Sequence, residues 1–111
     1  MKIFFLGDIV GKSGRTAINK NLKQIIKDKK IDFVVVNGEN AADQGVGITE
    51  EISNELFSLG VDVITTGNHV WDQKETISHI ERENRLLRPE NLTPNSPGKG
   101  FGVYKTKKGF T

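Results

Sequence analysis

A chain of 111 residues is one domain's worth of polypeptide, too short to enclose a large site by itself. Its net charge is +2, with Lys and Arg spread along the sequence rather than blocked, which argues for a solvated basic surface and against sequence-specific nucleic-acid binding. There is no cysteine, so disulfides and thiolate metal sites are excluded.

The chain opens with MKIFFLGD, where the apolar run Ile3 to Leu6 gives way at once to Gly7 and Asp8. A signal peptide needs a longer apolar core, and no stretch approaches membrane-spanning length, so a soluble, cytoplasmic protein is expected. Two further apolar runs follow, Phe33 to Val36 and Val61 to Thr65. The three begin about thirty residues apart, the length of one βαβ unit. They are continuous or nearly so, as expected of parallel strands covered on both faces.

Helical patterns lie between them. Arg15 to Lys30 places Ile18, Leu22, Ile25 and Ile26 on one face. Thr49 to Gly60 has Thr49 as N-cap, Glu50 and Glu51 at the positive end of the dipole, and Gly60 as a stop. Gln73 to Arg82 is a third helix with Ile77 and Ile80 inward. The predicted order is β-α-β-α-β-α, an α/β fold with a parallel sheet and right-handed crossovers. From Arg88 to Gly100 the three prolines and two glycines predict a loop, and FGVYKTKKGF predicts a strand entering a turn at Lys107 to Gly109. A domain whose return strand is missing is expected to be incomplete, so residues 1–111 are read as a single, unfinished domain.

Each predicted strand ends in a polar cluster: Gly7-Asp8, Asn37-Gly38-Glu39-Asn40 and Gly67-Asn68-His69. In open α/β sheets the carboxyl ends of the strands form the binding edge. Asp8, Glu39, Asn40, Asn68 and His69 are therefore expected to share one space. Two carboxylates there call for a cation or a proton between them, and oxygen donors with an imidazole suit a divalent ion of the Mg, Mn or Fe kind. Each cluster alone reads equally well as turn chemistry; three at successive strand ends do not.

Other features read as structural. Gly11-Lys12-Ser13 follows Gly7 with three intervening residues rather than the four of a phosphate loop, and Asp8 would place a negative charge in the cradle. His79 lies between polar residues and is expected to be a solvated surface histidine. Trp71 and Asp72 either line the site or serve the core and a helix cap.

The stretches GDIVGKSGR, VVNGENAADQGVGIT, ITTGNHVWDQKE and LLRPENLTPNSPGKG resemble, in order and spacing, the N-terminal half of the YmdB-like metallophosphoesterases, a branch of the calcineurin-like superfamily. The superfamily's usual Asp-x-His is replaced here by Asp8-Ile9-Val10, which fits that branch. The resemblance implies the N-terminal part of an αββα sandwich with two divalent metal ions, iron or manganese. Asp8 would bind one metal, Glu39 would bridge both, Asn40 and Asn68 would bind the other, and His69 would be the general acid. The implied reaction is hydrolysis of phosphodiesters such as 2′,3′-cyclic AMP. The family draws further histidine ligands from its C-terminal half, whereas this sequence has only His79 beyond His69. A fragment is therefore expected, and the rival reading is a non-catalytic remnant or binding protein from a truncated or split gene. An uncovered outer strand also invites self-association into a homo-oligomer.

Overall fold

The computed structural model describes residues 1–111. Its elements run β1 (Ile3–Asp8), α1 (Gly11–Lys29), β2 (Phe33–Asn37), α2 (Glu50–Ser58), β3 (Val63–Thr65), α3 (Thr76–Arg82) and β4 (Leu86–Leu87). The strands form one sheet in the order β1-β2-β3-β4, every pair parallel. The predicted α/β fold with a parallel sheet is therefore present, with one strand more than the sequence announces. β4 is two residues long, paired as Ile64 with Leu86 and Thr65 with Leu87, and so short a strand carries no periodicity to read.

The core forms on one face of the sheet. Val34 and Val36 of β2, Ile64 of β3 and Leu86 of β4 pack in one buried cluster with Leu22 of α1, Ile52 and Leu56 of α2, and Ile80 of α3. Consecutive strand order with right-handed crossovers puts every connecting helix on the same side. The sheet is thus wound on a single face, contrary to the expectation of strands covered on both.

α1 begins at Gly11, four residues before the start at Arg15 that its pattern predicts. Gly14 makes that start feasible, since a β-carbon there would lie 3.1 Å from the Ile9 side chain. The helix ends on Lys30 in the left-handed region at φ 54°. In α2 the Thr49 hydroxyl accepts a bond from the Ile52 amide at 3.1 Å, as its capping role predicts.

Three expectations fail. In α3 the inward face is Thr76, His79 and Ile80, while Ile77 is exposed, so the helix is rotated from the predicted phase. His79 is accordingly buried, with Nδ1 3.6 Å from Glu50 Oε1, and is not a surface residue. Phe101 to Lys105 forms no strand, because nothing offers it a ladder. The turn after it does exist, closed by Thr106 N–H to Phe110 O at 2.7 Å and Gly109 N–H to Thr106 O at 3.0 Å. Lys108 from this turn reaches back to Asp32 at 2.6 Å. No helix is long and apolar enough to cross a membrane.

Candidate functional site

The three polar clusters fall at the carboxyl ends of β1, β2 and β3, along one edge. Between β1 and β2 the register skips: Leu6 pairs with Val36 and Asp8 with Asn37, leaving Gly7 as a bulge. A bulge re-aims the residue beside it. Asp8 here meets Asn40, whose amide nitrogen donates to both carboxylate oxygens at 3.0 and 2.9 Å. The two loops are knitted further by Gly11 N–H to Asn40 O at 2.9 Å and Ile9 N–H to Asn37 O at 3.1 Å.

Glu39 follows β2 and turns toward β3. Its carboxylate rests on Gly67, where an added β-carbon would lie 2.0 Å from Oε2. Only glycine leaves the carboxyl group that room. Glu39 thereby reaches the loop that carries Asn68, which is exposed on the turn closed by Val70 N–H to Gly67 O. Two oxygens in this region are buried without a hydrogen-bond partner, Glu39 Oε2 and Asn40 Oδ1. Burying an acceptor unpaired is costly unless something else binds it.

His69 sits on the same turn, half-exposed, with Nδ1 2.7 Å from Asp72 Oδ2. The carboxylate three residues on fixes one ring nitrogen and leaves Nε2 as the free one. Arg15 braces the loop from the helix side, donating to Ala41 O and to Asp43 Oδ1, both at 2.6 Å. Both Asp72 and Arg15 are supporting residues the strand-end pattern does not single out. The sequence leaves Asp72 open between lining the site and capping a helix, and the structure sets it against His69; Arg15 is not legible at all, since its partners are more than twenty positions away.

Asp8 and Asn40 are thus joined directly, Glu39 and the Asn68–His69 turn meet through Gly67, and His69 is held by Asp72. Asp8, Glu39, Asn40 and Asn68 all carry side-chain oxygens, two as carboxylates and two as amides. No three His, Cys, Asp or Glu side chains group so as to hold a metal ion.

A model of a family described as YmdB-like protein matches residues 4–111. The 2′,3′-cyclic-nucleotide 2′-phosphodiesterase of Bacillus subtilis is 42% identical over 105 residues, which are 95% of this chain and 39% of that protein. The crystal structure of a hypothetical protein from Thermus thermophilus superposes with a TM-score of 0.87 at 36% identity, covering 96% of this chain and 41% of the other. A crystal structure described as a novel phosphatase from Mycoplasma pneumoniae superposes at 0.82, also with 36% identity, covering 94% and 39%. The chain spans about two-fifths of the length of the relatives it matches.

Proposed function

The chain belongs to the YmdB-like protein family, and on that premise we propose that it carries the strand-end half of a metal-dependent phosphodiesterase site acting on 2′,3′-cyclic nucleotides. The observation that carries the proposal is the pair of unpartnered buried oxygens at the strand ends, Glu39 Oε2 against Gly67 and Asn40 Oδ1 on the amide that binds Asp8. Hard cations of the Mg, Mn or Fe kind take oxygen donors of this sort. Asp8, Glu39, Asn40 and Asn68 would hold the ions, Glu39 serving both. When bound, such ions supply Lewis-acid activation of water and neutralise charge on a phosphoryl group.

The chain's own residues do the rest. Asp72 holds Nδ1 of His69, so a protonated ring would donate from Nε2 to the leaving alkoxide. General acid assistance of this kind is worth about 10²–10⁴-fold. Arg15 and the Gly11–Asn40 bond keep the Glu39–Asn40 loop in place against α1. Four oxygen donors would fill only part of the coordination shells of two such ions, leaving positions for water or further ligands. We expect the cytoplasm as its compartment on the sequence grounds given above.

The test uses a full-length relative that carries these motifs. Replacing the histidine equivalent to His69 by Ala slows hydrolysis of a cyclic nucleotide by about 10²-fold or more and that of a nitrophenyl ester far less, because a nitrophenolate leaves without a proton. Equal losses on both remove His69 from the acid role. For the 111-residue chain itself, the expected outcome is weak binding of manganese by calorimetry and negligible turnover of 2′,3′-cyclic AMP. That no three His, Cys, Asp or Glu side chains group so as to hold an ion favours, as a second reading, a non-catalytic remnant. Complete absence of manganese binding would select that reading.

A further inference from the structure

The end of β4 is the strand end that the sequence pattern does not announce, and it delivers Arg88-Pro89-Glu90-Asn91. The register sets Asp8 level with Asn37, Asn37 with Thr65, and Thr65 with Leu87. Arg88 therefore stands one residue beyond that level, at the same carboxyl edge as the other three clusters. Thr66 Oγ1 donates to Leu87 O at 2.7 Å, which fastens the approach to Arg88 beside Gly67, where the Glu39 carboxylate rests. On its other side Arg88 N–H donates to Lys99 O at 2.9 Å. Among the four strand-end clusters, Arg88 is the only lysine or arginine.

Its side chain is only 9% exposed, yet its charge has no close answer. Nη1 donates to Pro89 O at 2.9 Å, the Glu90 carboxylate lies 3.9 Å away and is itself 65% exposed, and Nε is buried with no acceptor. Burying a cation is costly unless an anion pairs with it. Arg85, three residues earlier, shows the satisfied arrangement: its Nε and Nη2 each donate at 2.8 Å to one oxygen of Glu83. Arg88 makes no such pair.

We propose that Arg88 is a substrate-binding residue of the strand-end edge and takes two oxygens of a phosphoryl group on the Nε–Nη2 side of its guanidinium. Two phosphoryl oxygens match that fork as two carboxylate oxygens do. Asp8 and Glu39 repel a phosphodiester anion, and a fixed cation on the same edge serves to admit it. A single neutral bond, to Pro89 O, holds the fork, so turning Nε toward an arriving anion sacrifices little. That the anion is the substrate's rests on the phosphodiesterase reading above; the capture of an anion by Arg88 does not.

Two measurements test it. On the 111-residue chain, proton–nitrogen spectra follow the arginine Nε–H signals, assigned through their own side-chain correlations, while sodium phosphate replaces sodium chloride at constant pH and ionic strength. The expected result is a saturable shift of Arg88 Nε–H, with that of Arg85, already bonded to Glu83, unmoved. No saturable shift at Arg88, or one shared by Arg15, Arg82 and Arg85, overturns the proposal, the latter by showing an adventitious ion only. In a full-length relative carrying these motifs, the substitution equivalent to Arg88→Lys is expected to raise KM for a 2′,3′-cyclic nucleotide about tenfold, with kcat within about threefold and manganese affinity unchanged. A fall in kcat at constant KM, or a loss of manganese affinity, makes Arg88 a structural support and overturns the proposal. A relative that binds phosphate through this arginine but does not hydrolyse cyclic nucleotides keeps the anion site and removes the phosphodiesterase reading instead.

Discussion

Gly67 shows how the site depends on a missing atom. The carboxylate of Glu39 occupies the space a β-carbon would fill, and an alanine would have to expel it. Gly67→Ala is expected to cost about 1–3 kcal/mol of stability, typical of overpacking. More tellingly, it should weaken manganese binding. Paramagnetic broadening of the backbone amides of Glu39, Asn40 and Asn68 measures this directly, and unchanged broadening in the variant would exclude Glu39 as a ligand. Asp32 offers a second test at this scale. Its hydrogen bond from Lys108, helped by the Lys2 amide, holds its carboxyl below the usual carboxylate range. A lowered native pKa stabilises the fold above the unfolded value of about 3.9, and that contribution is lost as the pH falls from there through the lowered native one. Glu83 acts with the same sign through its bond from Arg85. Melting temperature measured from pH 7 down to pH 2.5 should therefore fall on the acid side, and less steeply in Asp32→Asn. The strand-end residues were legible in the sequence because each follows an apolar run without a spacer. The partners that orient them were not, because Arg15 with Asp43 and Glu39 with Gly67 meet only once the strands lie side by side.

Helix ends behave as their sequences say where a side chain makes the cap. Thr49→Ala removes the bond to the Ile52 amide and is expected to destabilise the fold by about 1 kcal/mol in urea unfolding. At the end of α1 the chain instead uses Lys30 in a conformation that disfavours side chains. Lys30→Gly should stabilise by up to about 1 kcal/mol, the cost of a left-handed non-glycine residue less the entropy glycine returns to the unfolded chain. A destabilised variant would mean that Lys30 makes compensating contacts. The elements that misled the sequence reading did so for lack of length. Over seven residues, α3 has too few turns to fix its phase, so Ile77 and His79 exchange the roles their hydropathy suggests. β4, with two residues, exists only because Ile64 and Thr65 offer it a ladder.

At the level of the whole molecule the strand spacing announced a parallel sheet, and the structure has one. One-sided winding was not legible, because near-continuous apolar strands look the same whether their second face meets helices or another sheet. Phe5 and Val35 are apolar in a chain that leaves their face largely without a helical cover, and only the register reveals that they stand together.

The same strand order bears on how the protein comes into being. In β1-β2-β3-β4 each strand lies beside the one made just before it, so no strand must be inserted between two that are already paired. Each new pairing closes a loop of about twenty to thirty residues, and closure entropy grows only slowly with length. Synthesis at about 5–20 residues per second delivers such a unit every few seconds, ample time for a small mixed α/β segment to settle. The sheet can therefore grow outward from β1 while the chain is still emerging from the ribosome, with Lys108 arriving after the four strands to close over Asp32.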